Sequence, residues 1–120
     1  MHVLVVDDDL ALANLVSDVL SDEGLQVETV TSVEAARTAV ATQRPVLVLL
    51  DQRLPDGGGL ANVRMLKEVA PQPLVVLLFT AGQPTQADLE AAGADGYIAK
   101  PFDLSALVEE VLRWLGSVEG

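Results

Sequence analysis

Along this chain, short runs in which every position is apolar alternate with stretches in which apolar residues return every third or fourth position. Val3-Leu4-Val5-Val6 is the first run. It is too short for a helix and unbroken by polar residues, as expected of a strand buried on both faces. Leu12, Leu15, Val16, Val19 and Leu20 follow at helical spacing, with Gly24 placed to cap the helix at its C-terminus. Leu25 to Val30 reads as a second, more polar strand near a sheet edge. Thr31 with Glu34 resembles a capping box for an Ala-rich helix running to Gln43, which Pro45 closes. Val46 to Leu50 is a third strand, ending at Asp51. Gly57-Gly58-Gly59 precedes a helix from Leu60 to Val69. After the turn Pro71-Gln72-Pro73, Leu74 to Phe79 predicts a fourth strand. A short helix fits between Pro84 and Ala92, stopped by Gly93, and Gly96 to Ala99 forms a fifth strand. Asp103 caps a last amphipathic helix carrying Leu104, Leu107, Val108, Val111, Leu112 and Leu115.

Strand and helix thus alternate throughout, the pattern of βαβ units. Right-handed crossovers on both faces make this an α/β fold, (βα)5, with a doubly wound parallel sheet in the flavodoxin-like order 2-1-3-4-5. No repeat, linker or low-complexity tract interrupts it, so residues 1–120 read as a single domain. Half the residues are hydrophobic but only 3% are aromatic, which leaves Val, Leu and Ala to build the core. A formal net charge of −11 makes the domain a poor direct binder of nucleic acid or anionic membranes. The absence of cysteine removes disulfides, thiolate zinc sites and catalytic thiols. Met1 to Val6 runs straight into three acids, unlike a secretory leader, and no apolar run reaches the ~18 residues of a membrane span. A cytoplasmic location is expected.

In a doubly wound sheet the functional crevice lies beyond the carboxyl ends of the strands. The first strand ends in Asp7-Asp8-Asp9, the third in Asp51, the fourth in Thr80 and the fifth in Lys100. Each alone has an ordinary explanation: an Asp before a helix is commonly an N-cap, and the others could be a turn residue or a surface charge. Together they point elsewhere. The first and third strands are neighbours, so Asp7, Asp8 and Asp51 converge, and three close carboxylates repel unless a cation neutralises them. Hard oxygen ligands at an open site suit Mg²⁺. Lys100 and the Thr80 hydroxyl add a positive charge and a donor, fitting a phosphoryl group on a carboxylate.

Val3-Leu4-Val5-Val6-Asp7-Asp8-Asp9, Leu49-Leu50-Asp51-Gln52-Arg53-Leu54-Pro55, Phe79-Thr80-Ala81 and Gly93 through Phe102 resemble the receiver domain of two-component response regulators. The resemblance covers essentially the whole chain, in order. It implies that Asp51 is the aspartate phosphorylated by a histidine kinase or phosphotransfer protein. It also implies that Asp8, Asp51 and the backbone carbonyl of Arg53 hold Mg²⁺, with Asp7 acting through water. Lys100 would pair with the carboxylate or phosphoryl oxygen, Thr80 would be the switch hydroxyl, and Tyr97 the switch aromatic. The resemblance further implies a cis peptide between Lys100 and Pro101, and places Pro55 and Gly59 in the loop after the phosphoacceptor. An effector domain or output protein and a phosphorylation-dependent dimer would be the downstream partners. Arg53 and Gly82 should border the approach of the water that removes the phosphoryl group. Arg53 would either lie over the phosphoryl oxygens or swing away to pair with Asp56.

Three departures from the family stand out. Thr80 to Lys100 is about two residues short, a deficit falling on the helix after Thr80, while Gly96 stands where an acid is frequent and Gly58 replaces a common aspartate. Two rival readings remain open. Asp7-Asp8-Asp9 also suits the Asp-x-Asp of a haloacid-dehalogenase-like phosphatase, although Ala11 stands where a hydroxyl is expected and there is no room for a cap. The other rival is a receiver-fold interaction module that takes no phosphoryl group. Gly57-Gly58-Gly59 lacks the following Lys-Ser or Lys-Thr of a phosphate loop, His2 is the only histidine, and Glu109-Glu110 reads as a solvated helix face.

Overall fold

The computed structural model describes residues 2–80, 84–100 and 103–119, with the side chains of 58–60 and 117–119 outside that description. Its elements are β1 (His2–Val6), α1 (Leu10–Ser21), β2 (Gln26–Val30), α2 (Val33–Gln43), β3 (Leu47–Asp51), β4 (Arg53–Leu54), β5 (Gly57–Gly58), α3 (Gly59–Val69), β6 (Val75–Thr80), α4 (Gln86–Ala92), β7 (Gly96–Ala99) and α5 (Leu104–Glu119). The main sheet runs β2-β1-β3-β6-β7, all parallel. Counted over these long strands, that is the expected 2-1-3-4-5. The addition is a small antiparallel hairpin, β4 with β5, pairing Arg53 with Gly58. Its strands are two residues each, too short to leave an alternating pattern in the sequence.

Strand alternation divides the core in two. Val3, Val5, Leu47, Leu49, Leu77 and Phe79 pack against Ala13, Val16 and Leu20 of α1 and Leu107, Val111 and Leu115 of α5. Leu4, Val6, Val48, Leu50, Val76 and Leu78 pack against α2, α3 and α4 through Ala36, Val40, Val63, Leu66 and Leu89. Each fully buried Leu or Val contributes about 1.5–3 kcal/mol relative to exposure. The central strands are therefore apolar over residues 3–6, 47–50 and 75–79, because both faces are covered there.

The helix stripes differ in detail from the sequence pattern. Leu15 and Leu112, expected on buried stripes, are 47% and 38% exposed. In α1 the inward positions are Ala13, Val16 and Leu20, spaced by three and four, and the small Ala13 lets the helix sit close to the sheet. Ser32, rather than Thr31, caps α2: its Oγ accepts from the Ala35 N–H at 3.1 Å. That places Glu34 one position short of where a capping-box acid reaches back. α1 ends on Asp22, and Gly24 takes its positive φ of 85° in the turn beyond. In α4, Thr85 and Asp88 form a full capping box and Gly93 closes the helix in the left-handed region, as its position predicts. Gly96 has a packing reason: a Cβ there would lie 3.3 Å from both Leu77 and the Trp114 ring. Glu110 is no free solvated acid, since it accepts from Trp114 Nε1 at 3.0 Å and from Arg113. Among the described residues, no helix is long and apolar enough to cross a membrane.

Candidate functional site

Register and alternation determine which side chains meet at the carboxyl edge. Val6 pairs with Leu50, so the next step of the ladder sets Asp7 beside Asp51. Asp7 remains tied to the sheet, its N–H donating to the Val30 carbonyl at 3.1 Å. Lys100 follows β7, and its N–H donates to the Thr80 carbonyl at 2.7 Å. Its Nζ reaches Asp51 Oδ2 at 3.3 Å and Asp7 Oδ2 at 3.5 Å, and lies 5.8 Å from the centre of the Phe79 ring. Asp7, Asp51 and Thr80 are the buried polar residues among those described, at 0%, 7% and 4% exposure.

The three consecutive acids divide their roles. Asp9 caps α1, accepting from the Leu12 N–H at 3.1 Å. Asp7 Oδ1 accepts from the Asp9 N–H at 2.9 Å, while Asp7 Oδ2 is buried with no hydrogen-bond partner. Asp8 is exposed and completes a cluster in which one oxygen each from Asp7, Asp8 and Asp51 lies within 4.8 Å of the others. Burial pushes the Asp7 carboxyl above its ordinary range; the Asp9 N–H opposes this, Asp51 adds repulsion and Lys100 relieves part of it. A buried carboxylate oxygen with no hydrogen bond and only a 3.5 Å ion pair to Lys100, set among three carboxylates, fits a hard divalent cation such as Mg²⁺. The cleft over these groups is about 310 Å³, lined by Asp7, Asp8, Asp9, Asp51, Gln52, Arg53 and Lys100.

Asp51 Oδ1 accepts from the Arg53 N–H at 3.1 Å, so the loop after β3 turns back over the site. The Arg53 side chain is exposed and makes no ion pair among the described residues. Of the two arrangements open to Arg53, the pairing with Asp56 does not form, and Asp56 is engaged elsewhere. Asp56 accepts from the Val33 N–H at 2.9 Å and the Glu34 N–H at 3.1 Å, across the N-terminus of α2, and these bonds hold its carboxyl below the usual range. Tyr97 is half-buried against the cluster shared with α3 and α4. Gly82 and the Lys100–Pro101 peptide lie outside the described residues.

Sequence reasoning did not find the contact of Gln52 with Thr80 or that of Asp56 with the N-terminus of α2. The Thr80 hydroxyl donates to Gln52 Oε1. The sequence signal for that contact is positional: Asp51 pairs with Phe79, so Gln52 and Thr80 occupy the next step. Asp56 left no comparable signal, since its partners lie 23 and 22 residues away in the first turn of α2.

Residues 3–112 match the family model for the response regulator receiver domain. The KDP operon transcriptional regulatory protein KdpE of Escherichia coli is 31% identical over 106 residues, covering 88% of this chain and 47% of the relative. The DNA-binding response regulator MtrA of Mycolicibacterium paratuberculosis is 38% identical over 110 residues, covering 92% of this chain and 49% of the relative. The chain spans about half the length of the curated relatives it matches. Among solved structures, a CheY-like response regulator receiver domain protein from Methanospirillum hungatei superposes with a TM-score of 0.89 at 27% identity, covering 98% of this chain and 95% of that one. The order of strands, the acids at their carboxyl ends and these likenesses agree: the chain belongs to the response regulator receiver domains, phosphoacceptors of two-component signalling.

Proposed function

We propose that Asp51 is the phosphoacceptor and that a phosphohistidine on a kinase or phosphotransfer protein is its donor. The observation that carries this is the geometry of its carboxylate. One oxygen is oriented by the Arg53 N–H and the other by Lys100, on a cleft that leaves phosphorus a path to it. The Asp51 oxygen forms the new bond to phosphorus as the phosphorus–nitrogen bond of the donor breaks, and the electron pair leaves with the imidazole. Lys100 holds its charge beside the oxygens on which negative charge collects. Asp8, Asp51 and the Arg53 backbone carbonyl would hold Mg²⁺, with Asp7 acting through water, and the ion would supply neutralisation of phosphoryl charge. Thr80 and Tyr97 are the elements that respond to the new dianion.

The chemistry begins and ends on the chain's own carboxylate, so turnover of a generic phosphate ester is not expected. The named relatives include DNA-binding and transcriptional regulators. We infer that the output belongs to an effector domain or a separate protein. The charge of −11 argues against this domain touching nucleic acid itself. Transfer from a kinase would take place in the cytoplasm.

Acetyl phosphate with Mg²⁺, read by intact-mass spectrometry, tests the reading. One phosphoryl group should be added, and none to Asp51→Asn. Equal labelling of that variant overturns the assignment, and absence of labelling in the wild type favours a receiver-fold module that is not phosphorylated.

A further inference from the structure

Gln52 and Thr80 lie side by side, one register step beyond the Asp51–Phe79 pair. By strand alternation they continue the face that ends in Leu50 and Leu78, packed by α2, α3 and α4. Asp51 and Lys100 continue the opposite face, that of Leu49 and Ile98. The edge therefore carries a charged row and, next to it, a neutral hydrogen-bonded pair. The Thr80 hydroxyl donates to Gln52 Oε1. Gln52 is itself anchored, its N–H donating to the Phe79 carbonyl at 2.9 Å, and the Thr80 carbonyl is held from the other side by the Lys100 N–H at 2.7 Å.

A threonine hydroxyl has a single proton to donate. While Gln52 receives it, that proton is not available to a phosphoryl oxygen on Asp51. We propose that Gln52 is a positioning residue that latches Thr80 in the resting arrangement, and that activation exchanges the acceptor of this proton from the Gln52 amide oxygen to a phosphoryl oxygen. No covalent bond changes in this step. A hydrogen bond to a charged acceptor is roughly twice as strong as one to a neutral acceptor, so the phosphoryl group wins the exchange. The latch meanwhile keeps the switched arrangement scarce in the unphosphorylated chain. The inference rests on the reading of Asp51 as phosphoacceptor.

The test is a beryllofluoride titration in excess Mg²⁺, followed by NMR on wild type, Gln52→Met, Thr80→Val and the double variant. Met keeps the length of Gln but offers no amide acceptor. Gln52→Met should lower the beryllofluoride midpoint about fivefold, as removal of a competing resting state does. It should also move the Thr80 methyl resonance, before any beryllofluoride is added, toward its position in the saturated protein. In the Thr80→Val background the same change should leave the midpoint unmoved. An unchanged or raised midpoint in Gln52→Met, or an equal effect in both backgrounds, overturns the latch. Should Gln52→Met fail to fold, the wild-type side-chain amide resonance of Gln52 gives the answer: it shifts on saturation if the proton leaves Oε1, and a static resonance overturns the proposal. A wild type that does not respond to beryllofluoride at all overturns the phosphoacceptor reading, and the latch with it. A responding wild type with uncoupled Gln52 overturns the latch alone.

Discussion

Two aspartate–lysine pairs sit at opposite ends of the same sheet and behave differently. At the amino end, Asp95 meets Lys67 of α3 at 2.7 Å and accepts from the Val76 N–H at 2.8 Å. The Asp95 N–H returns a bond to the Val76 carbonyl at 3.0 Å, closing a small ring between β6 and the turn before β7. At the carboxyl end, Lys100 stands at 3.3 and 3.5 Å from two aspartates, a third acid lies beside them, and Asp7 Oδ2 has no hydrogen-bond partner. The first pair has one acid, one base and a backbone donor, and it fastens the loop that carries β7. The second sets three acids against one base, which leaves excess negative charge and a buried oxygen without a hydrogen bond, an arrangement that a cation would complete. Residue types alone do not separate a tie from a site; the balance of charge and satisfied hydrogen bonds does.

Substituting each aspartate should break the symmetry of these pairs. Asp51→Asn should abolish labelling by acetyl phosphate, while Asp95→Asn labels normally by mass spectrometry. Asp8→Ala should lower Mg²⁺ affinity by about tenfold or more, in line with the loss of groups that serve a metal, with its urea midpoint unchanged because Asp8 is exposed. A variant that binds Mg²⁺ as well as wild type would make Asp8 structural. Asp95→Asn should cost about 1–3 kcal/mol in urea denaturation, the range for a hydrogen-bonded charged group.

Asp7 sharpens the comparison through pH. Its folded carboxyl titrates above the ordinary value of 3.8, chiefly through burial. The folded state therefore holds a proton that the unfolded state has released, and stability falls as pH rises from that ordinary value through the raised folded one. In EDTA, Asp7→Asn should raise the urea midpoint at neutral pH, and the gain should shrink as pH drops through the carboxylate range. A gain that is flat with pH would mean that it does not come from the Asp7 carboxyl, and no gain at all would mean that Lys100 and the Asp9 N–H fully offset burial and the repulsion from Asp51. The smallest effect is expected at Arg53. If its exposed side chain shields phosphorus from water, Arg53→Ala should lose its phosphoryl group severalfold faster after the donor is removed, about 1 kcal/mol in the barrier. Unchanged or slower decay removes that role.

The apolar runs at Val3–Val6 and Leu47–Leu50, the punctuation by Gly93 and Pro45, and the polar residues ending each strand follow from local rules. A strand covered on both faces has no polar position to spare, and the functional edge begins where that constraint stops. Asp7, Asp51, Thr80 and Lys100 were legible for that reason. The outward turn of Leu15 and the seat of Trp114 over Gly96 depend on how the helices pack on the sheet, and the choice of Ser32 over Thr31 as a cap depends on where the backbone enters α2. The pairings of Asp56 with the N-terminus of α2 and of Gln52 with Thr80 depend on register between segments 23 and 28 residues apart. Sequence by itself determined which residues reach the edge, because burial sorts apolar from polar along each strand. Only the tertiary structure decided which of them touch, because a hydrogen bond is set by distance and direction between groups that the chain brings together only on folding.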